Sequence, residues 1–251
     1  TGAAQTVNFV GSEDIVVDTA IAAGTISAAG MSARLASTPG LVMSTLATAT
    51  LAMPGQTVTG SSGADTLYGS TGADTITGGA GNDTLVGGKG GDIIDGTSGS
   101  DTLSTEGMVG ASIGGTGTGT STGVVVNLSS SALTNVAVLN AIAQNVSGAV
   151  TSVPAGSTAY VFNDTLNTNS TAADTLLNID NVTLAGNGIN YVVGSDTANT
   201  VTLGTGNDNV STGKGDDAIV GMAGDNTIDT GAGDDTITIA AAADLDGSDT
   251  I

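Results

Sequence analysis

The sequence predicts an all-β chain built as a right-handed parallel β-roll, a β-solenoid in two blocks with intervening β-rich segments. Three observations predict it. Glycine recurs with a nine-residue period over residues 60–104 and, with more drift, over 185–251. Aspartate recurs in the same frame. The hydrophobic residues, 39% of the chain, are almost all aliphatic, since aromatics make up only 2%. A core must therefore be laid down in thin layers of Val, Ile, Leu and Ala. Forty glycines in 251 residues would signal disorder if they had no period. They have one.

Residues 60–104 read as GSSGADTLY, GSTGADTIT, GGAGNDTLV, GGKGGDIID and GTSGSDTLS. Glycine fills positions 1 and 4 throughout, aspartate fills position 6 (Asp65, Asp74, Asp83, Asp92, Asp101), and Leu or Ile fills position 8. In the second block position 6 falls on Asn190, Asn199, Asp208, Asp217, Asn226, Asp235 and Asp244, and position 8 on Val192, Val201, Val210, Ile219, Ile228 and Ile237. An insertion at 240–243 resets the frame, because GSDTI (247–251) restores the motif with Asp249 and Ile251.

A six-residue turn and a three-residue strand, used twice, give a coil of 18 residues. Glycine at positions 1 and 4 permits left-handed backbone that other residues resist. Alternation along the strand sends position 8 inward and positions 7 and 9 outward. Leu67, Leu85 and Leu103 then stack on one side, with Ile76 and Ile94 facing them. The same stacking aligns Asp65, Asp83 and Asp101 along one edge, and Asp74 and Asp92 along the other. Two unit charges about 4.8 Å apart repel by roughly 3.5 kcal/mol at an effective dielectric near 20. That is large against a domain stability of about 5–15 kcal/mol.

A divalent ion between turns would turn this repulsion into coordination. The turns offer only oxygen, from carboxylates and main-chain carbonyls, which suits calcium with its six to eight flexible ligands better than octahedral magnesium. The chain has no His and no Cys, so zinc, copper and iron lack good ligands. The candidate metal ligands are Asp65, Asp74, Asp83, Asp92, Asp101, Asp208, Asp217, Asp235 and Asp249, with Asn190, Asn199 and Asn226 as neutral, weaker ones. The alternative is a solenoid that binds no metal, whose aspartates cap turn amides. It weighs more on the second block, where Asn replaces Asp.

The period resembles the nonapeptide G-G-x-G-x-D-x-U-x of RTX (hemolysin-type) proteins, a calcium-binding roll repeat. The resemblance covers residues 60–104 and 185–251, and implies Ca²⁺ as the bound ion and type I secretion to the cell exterior. GVVVNL (123–128) and DTLLNIDNV (174–182) resemble spacers between repeat blocks of long RTX surface proteins.

Four segments follow. Residues 1–59 are β-rich, with strands expected around 7–10 and 15–17 and either a strand or a helix near 41–52. Residues 60–104 are the first roll block. Residues 105–184 form a β-rich spacer, with a Gly/Thr loop at 114–123, strands at 124–128 and 159–163, and a helix or strand over 133–146. Residues 185–251 form the second block, the roll resuming by about 185 and ending in mid-repeat. Asp14, Asp164 and Glu106 read as solvated surface groups. Met31–Met53 is interrupted by Arg34, Pro39 and many hydroxyl residues, so it is no membrane span.

The charge balance excludes other classes. Three basic residues against 24 acidic ones give a net charge of −21, which disfavours nucleic acid and anionic membranes. Without His there is no Ser–His or Cys–His nucleophile and no zinc-protease helix. Glu13 and Glu106 stand in different segments, and nothing marks an aspartate pair of the glycosidase kind. The expectation is a non-enzymatic, calcium-binding structural protein of the bacterial cell surface, a surface-layer (S-layer) lattice or extracellular filament subunit. Its expected partners are calcium ions, identical subunits and, as one option, a cell-surface polysaccharide. The alternatives are an RTX adhesin stalk, or the calcium-binding module of a secreted RTX lipase, protease or toxin.

Overall fold

The computed structural model describes residues 6–11, 15–17, 25–31, 41–43, 55–69, 72–88, 91–105, 123–133, 158–162, 174–185, 190–221, 223–239 and 249–251. Short β-rich runs separated by glycine turns give short strands. The first are β1 (Thr6–Gly11), β2 (Ile15–Val17), β3 (Thr25–Met31), β4 (Leu41–Met43) and β5 (Thr57–Thr59). The first repeat block adds β6 (Thr66–Tyr68), β7 (Thr75–Ala80), β8 (Thr84–Val86), β9 (Ile93–Ser98) and β10 (Thr102–Ser104). The spacer holds β11 (Gly123–Asn127), β12 (Thr158–Phe162), β13 (Asp174–Leu177) and β14 (Asn181–Thr183). The second block holds β15 (Tyr191–Val193), β16 (Thr200–Thr202), β17 (Asn209–Ser211), β18 (Ala218–Val220), β19 (Thr227–Asp229) and β20 (Thr236–Thr238).

These strands make two facing walls. One has eleven strands in the order β1-β3-β5-β7-β9-β13-β12-β11-β15-β17-β19. The other has nine, β2-β4-β6-β8-β10-β14-β16-β18-β20. Neighbours pair in parallel except where β12 lies antiparallel to both β11 and β13. The register carries the period directly: Leu67 faces Leu85 and Leu85 faces Leu103, while Val58, Ile76 and Ile94 succeed one another on the other wall. β7 and β9 run three residues beyond the expected strand, pairing Gly79 with Thr97 and Ala80 with Ser98.

Position 8 points inward as the alternation requires. Leu67, Ile76, Leu85, Ile94 and Leu103 are fully buried, and they belong to one core with Val182, Val201, Val210, Ile219 and Ile228. β-Branched and γ-branched side chains of similar volume repeat at each buried level, which suits close stacking of thin layers. Thr66, Thr75, Thr84 and Thr102 at position 7 are half-buried on the outer faces, where threonine suits a pleated surface. Position 9 departs from the expectation at Val86 and Ser104, which are buried. Ile76→Ala is expected to cost about 2–5 kcal/mol, against less than about 0.5 kcal/mol for Thr66→Ala. Urea unfolding with calcium present measures both.

The strands expected around 7–10, 15–17, 124–128 and 159–163 are present. At 41–52 the chain begins as strand β4, and residues 44–54 lie outside the described residues. The helix or strand over 133–146 lies outside them beyond Leu133, and so do the insertion at 240–243 and the tract 114–122. The roll resumes earlier than 185. β13 and β14 form a full coil, with Leu176 under Ile94 and Val182 between Leu103 and Val201. Among the described residues no helix is long and apolar enough to cross a membrane.

Candidate metal centre

Each loop delivers its sixth residue to the start of a strand, and these residues stack into two columns. In the first, the main-chain N–H of each rung donates to the next side chain. Asp65 bonds Asp83 Oδ1 and Asp83 bonds Asp101 Oδ1, both at 2.8 Å, and Asp101 bonds Asp180 Oδ2 at 2.9 Å. The column continues with Asn199 to Asp217 at 2.7 Å and Asp217 to Asp235 at 2.9 Å. In the second column Gln56 bonds Asp74, Asp74 bonds Asp92 at 2.8 Å, and Asp92 bonds Asp174 at 2.8 Å. Beyond the β11–β12 hairpin it resumes: Asn190 to Asp208 at 3.1 Å, Asp208 to Asn226 at 2.9 Å, and Asn226 to Asp249 at 2.9 Å. The rung carbonyl also points to the next coil, as when Asp65 O accepts from Thr84 N–H at 2.8 Å.

This arrangement uses one carboxylate oxygen and strands the other. Oδ2 of Asp83, Asp92, Asp101, Asp208 and Asp217 is buried without a hydrogen-bond partner. A buried carboxylate oxygen left so is costly, and it marks a place where a cation fits. The first glycine of the loop forms the cradle. A Cβ on Gly78 would lie 2.2 Å from Asp83 Oδ2, and one on Gly96 would lie 2.3 Å from Asp101 Oδ2. No three acidic side chains converge on one point among the described residues. A cation here would draw on one carboxylate per loop and on main-chain carbonyls. That all-oxygen donor set fits calcium, whose role would be to neutralise the stranded oxygens and tie adjacent loops together.

Burial sets the electrostatics. It raises the Asp92 carboxyl to about 8, with the neighbouring Asp174 charge adding to the effect. It raises Asp83 to about 7, against the lowering by the Asp65 N–H, with the charges of Asp65 and Asp101 adding a further upward push. Asp174 rises to about 7 and Asp208 to about 6, and Asp101 also rises, all chiefly through burial. This corrects the sequence argument, which put repulsion between successive aspartates first. The repulsion is present, but each rung hands one oxygen to an N–H of its neighbour, and loss of water is the greater cost.

All twelve candidate ligands fall on the two columns. Asp65, Asp83, Asp101, Asn199, Asp217 and Asp235 share one edge. Asp74, Asp92, Asn190, Asp208, Asn226 and Asp249 share the other. Asp249 takes the rung next to Asn226, as the reset frame required, and Asp244 lies outside the described residues. Sequence reasoning missed Asp174 and Asp180, which continue the columns across the spacer. The signal was there in ADTLL (173–177), which repeats the x-D-x-U-x half of the motif. The loop before Asp180 is cut to three residues, however, so the nine-residue count fails.

The RTX calcium-binding nonapeptide repeat matches the chain in four copies, over residues 59–94, 86–107, 184–219 and 211–251. No curated protein matches it. The matches stop on either side of the Asp174–Thr183 coil, which the walls nevertheless include. Stacked parallel coils, paired columns of Asp and Asn, glycine cradles and the four matched copies agree: over residues 59–107 and 184–251 the chain carries RTX-type calcium-binding repeats.

Proposed function

We propose that this chain is a calcium-stiffened structural element of the bacterial cell surface, a subunit of a surface-layer lattice or extracellular filament, secreted and without catalytic activity of its own. One observation carries the reading. The described strands from Thr6 to Thr238 order into two walls, and from Val58 to Ile228 the space between them is filled by aliphatic side chains stacked level on level, with candidate cation loops along both edges. Such a column has its core committed to packing and its edges committed to ions. Its exposed surface is the outer faces of the walls, which are rich in threonine and suited to lateral contact with identical columns. The strongly acidic balance supports an environment supplied with calcium, and a cell-surface polysaccharide is a further candidate ligand of the outer faces.

The test is assembly of the chain followed by electron microscopy, with and without calcium. Ordered two-dimensional or tubular arrays that form only with calcium are the expected result. Monodisperse rods at every calcium concentration would overturn the lattice reading and favour an adhesin stalk.

A further inference from the structure

Along the edge that begins at Asp65, the six-residue loops are of two kinds. Those at 78–83, 96–101, 212–217 and 230–235 are left-handed at position 2 (Gly79 φ 120°, Thr97 77°, Gly213 101°, Gly231 81°) and at position 4 (Gly81 120°, Gly99 136°, Gly215 115°, Gly233 151°). Left-handed backbone at position 2 aims that N–H away from the rung. Thr97 N–H donates to Asp95 Oδ1 at 3.0 Å, and Gly231 N–H to Asp229 Oδ1 at 3.1 Å. In the first three of these loops the rung keeps a buried oxygen with no donor: Oδ2 of Asp83, Asp101 and Asp217.

Loops 60–65 and 194–199 are built otherwise. Each has serine at position 2, and neither Ser61 nor Ser195 is left-handed. Ser61 N–H donates to Asp65 Oδ2, and Ser61 Oγ lies 3.0 and 3.1 Å from the two carboxylate oxygens. Ser195 N–H donates to Asn199 Oδ1 at 2.8 Å, with Ser195 Oγ at 3.3 Å. Both serine oxygens also accept the N–H of position 4, from Gly63 at 3.1 Å and Thr197 at 3.2 Å. The Asn199 amide donates to Asp180 O at 2.6 Å, and because a carbonyl can only accept, this fixes the amide's orientation. Lys214 reaches from the next loop to Asp196 Oδ2 at 2.6 Å. These two loops are the first of their respective blocks on this edge.

We infer that the first loop of each block on this edge is closed by the protein's own donors, Ser61 and Ser195, so that Asp65 and Asn199 are not calcium ligands. Which of these loops take calcium is then decided by left-handed backbone at positions 2 and 4, not by a carboxylate at position 6 alone. An oxygen already accepting from an N–H and a hydroxyl must give up those bonds to coordinate an ion, whereas the stranded oxygens of Asp83, Asp101 and Asp217 give up nothing. Each closed loop presents a metal-free first rung that still stacks on the next coil, since Asp65 N–H and Asn199 N–H hold Asp83 and Asp217.

The inference rests on the calcium-binding reading above and departs from the sequence assignment of Asp65 and Asn199. Counting bound calcium on the full chain, by equilibrium dialysis with radioactive calcium and by native mass spectrometry, tests it. Asp65→Asn and Asn199→Asp are expected to leave the number of bound ions unchanged. Asp83→Asn is expected to lower it by at least one, and Ser195→Gly with Thr197→Gly and Asn199→Asp to raise it by one. A loss with Asp65→Asn, or a gain with Asn199→Asp alone, overturns the inference. A wild-type chain that bound no calcium would instead overturn the calcium reading itself.

Discussion

Acid is expected to do part of calcium's work. In chelator at pH 8 the chain should lose most of its β circular dichroism, and lowering the pH to about 5 without calcium should restore much of it. In the fold, Asp92 holds its proton up to about 8, Asp83 and Asp174 up to about 7 and Asp208 up to about 6, against an ordinary value of 3.8. The folded chain therefore binds more protons than the unfolded chain between about pH 4 and 8. The stabilisation is fully present below the ordinary value and is lost as the pH rises through 6 to 8. Calcium needs the ionised form, so its affinity should run the other way and weaken by at least about tenfold from pH 8 to pH 5.5. Lower net charge also favours compaction in acid. High salt screens that effect but not the buried aspartates, so melts in chelator at pH 5 and 8, each with and without salt, separate the two. A melting temperature in chelator that fell with acidification would contradict the account.

The second large effect is expected at Gly99. Its φ is 136°, and a Cβ there would lie 1.7 Å from the carbonyl oxygen of Gly81 in the adjacent coil. Gly221 is also left-handed, at 88°, yet its Cβ would meet nothing closer than 3.6 Å. Gly221→Ala should cost only backbone strain, about 1–3 kcal/mol. Gly99→Ala should cost clearly more, because coils stacked about 4.8 Å apart cannot separate at one loop without breaking the ladder on either side. Calcium titrations followed by circular dichroism should show a shifted midpoint for Gly221→Ala and no folding transition for Gly99→Ala. Equal behaviour of the two variants would mean that close coil packing at this loop is unimportant.

The repeat made much of this legible. Position 8 follows from strand alternation and position 6 from the turn, so within the two repeat blocks the inward residues and the Asp and Asn rungs could be read from spacing alone. The frame even located Asp249 across an insertion. What could not be read depends on contacts between distant segments. Asp174 stands 82 residues from Asp92 and still accepts its N–H, because a coil needs the right end residues and not a fixed contour between them. Val86 and Ser104 are buried at a position that alternation sends outward. The division of loops by the direction of their second N–H was also out of reach. Glycine, threonine and serine all occur there, and threonine at 97 is left-handed while serine at 61 is not.

The insertion of β11 and β12 has a mechanical consequence. From β13 to β15 one wall takes three steps, while the other goes from β14 to β16 in one. At about 4.8 Å per step, one side is longer by about 10 Å, comparable to the distance between packed sheets. The spacer must take up that difference, with Val126 on the longer wall and Val182 on the shorter one, so it is here that the stacking of the two walls falls out of step.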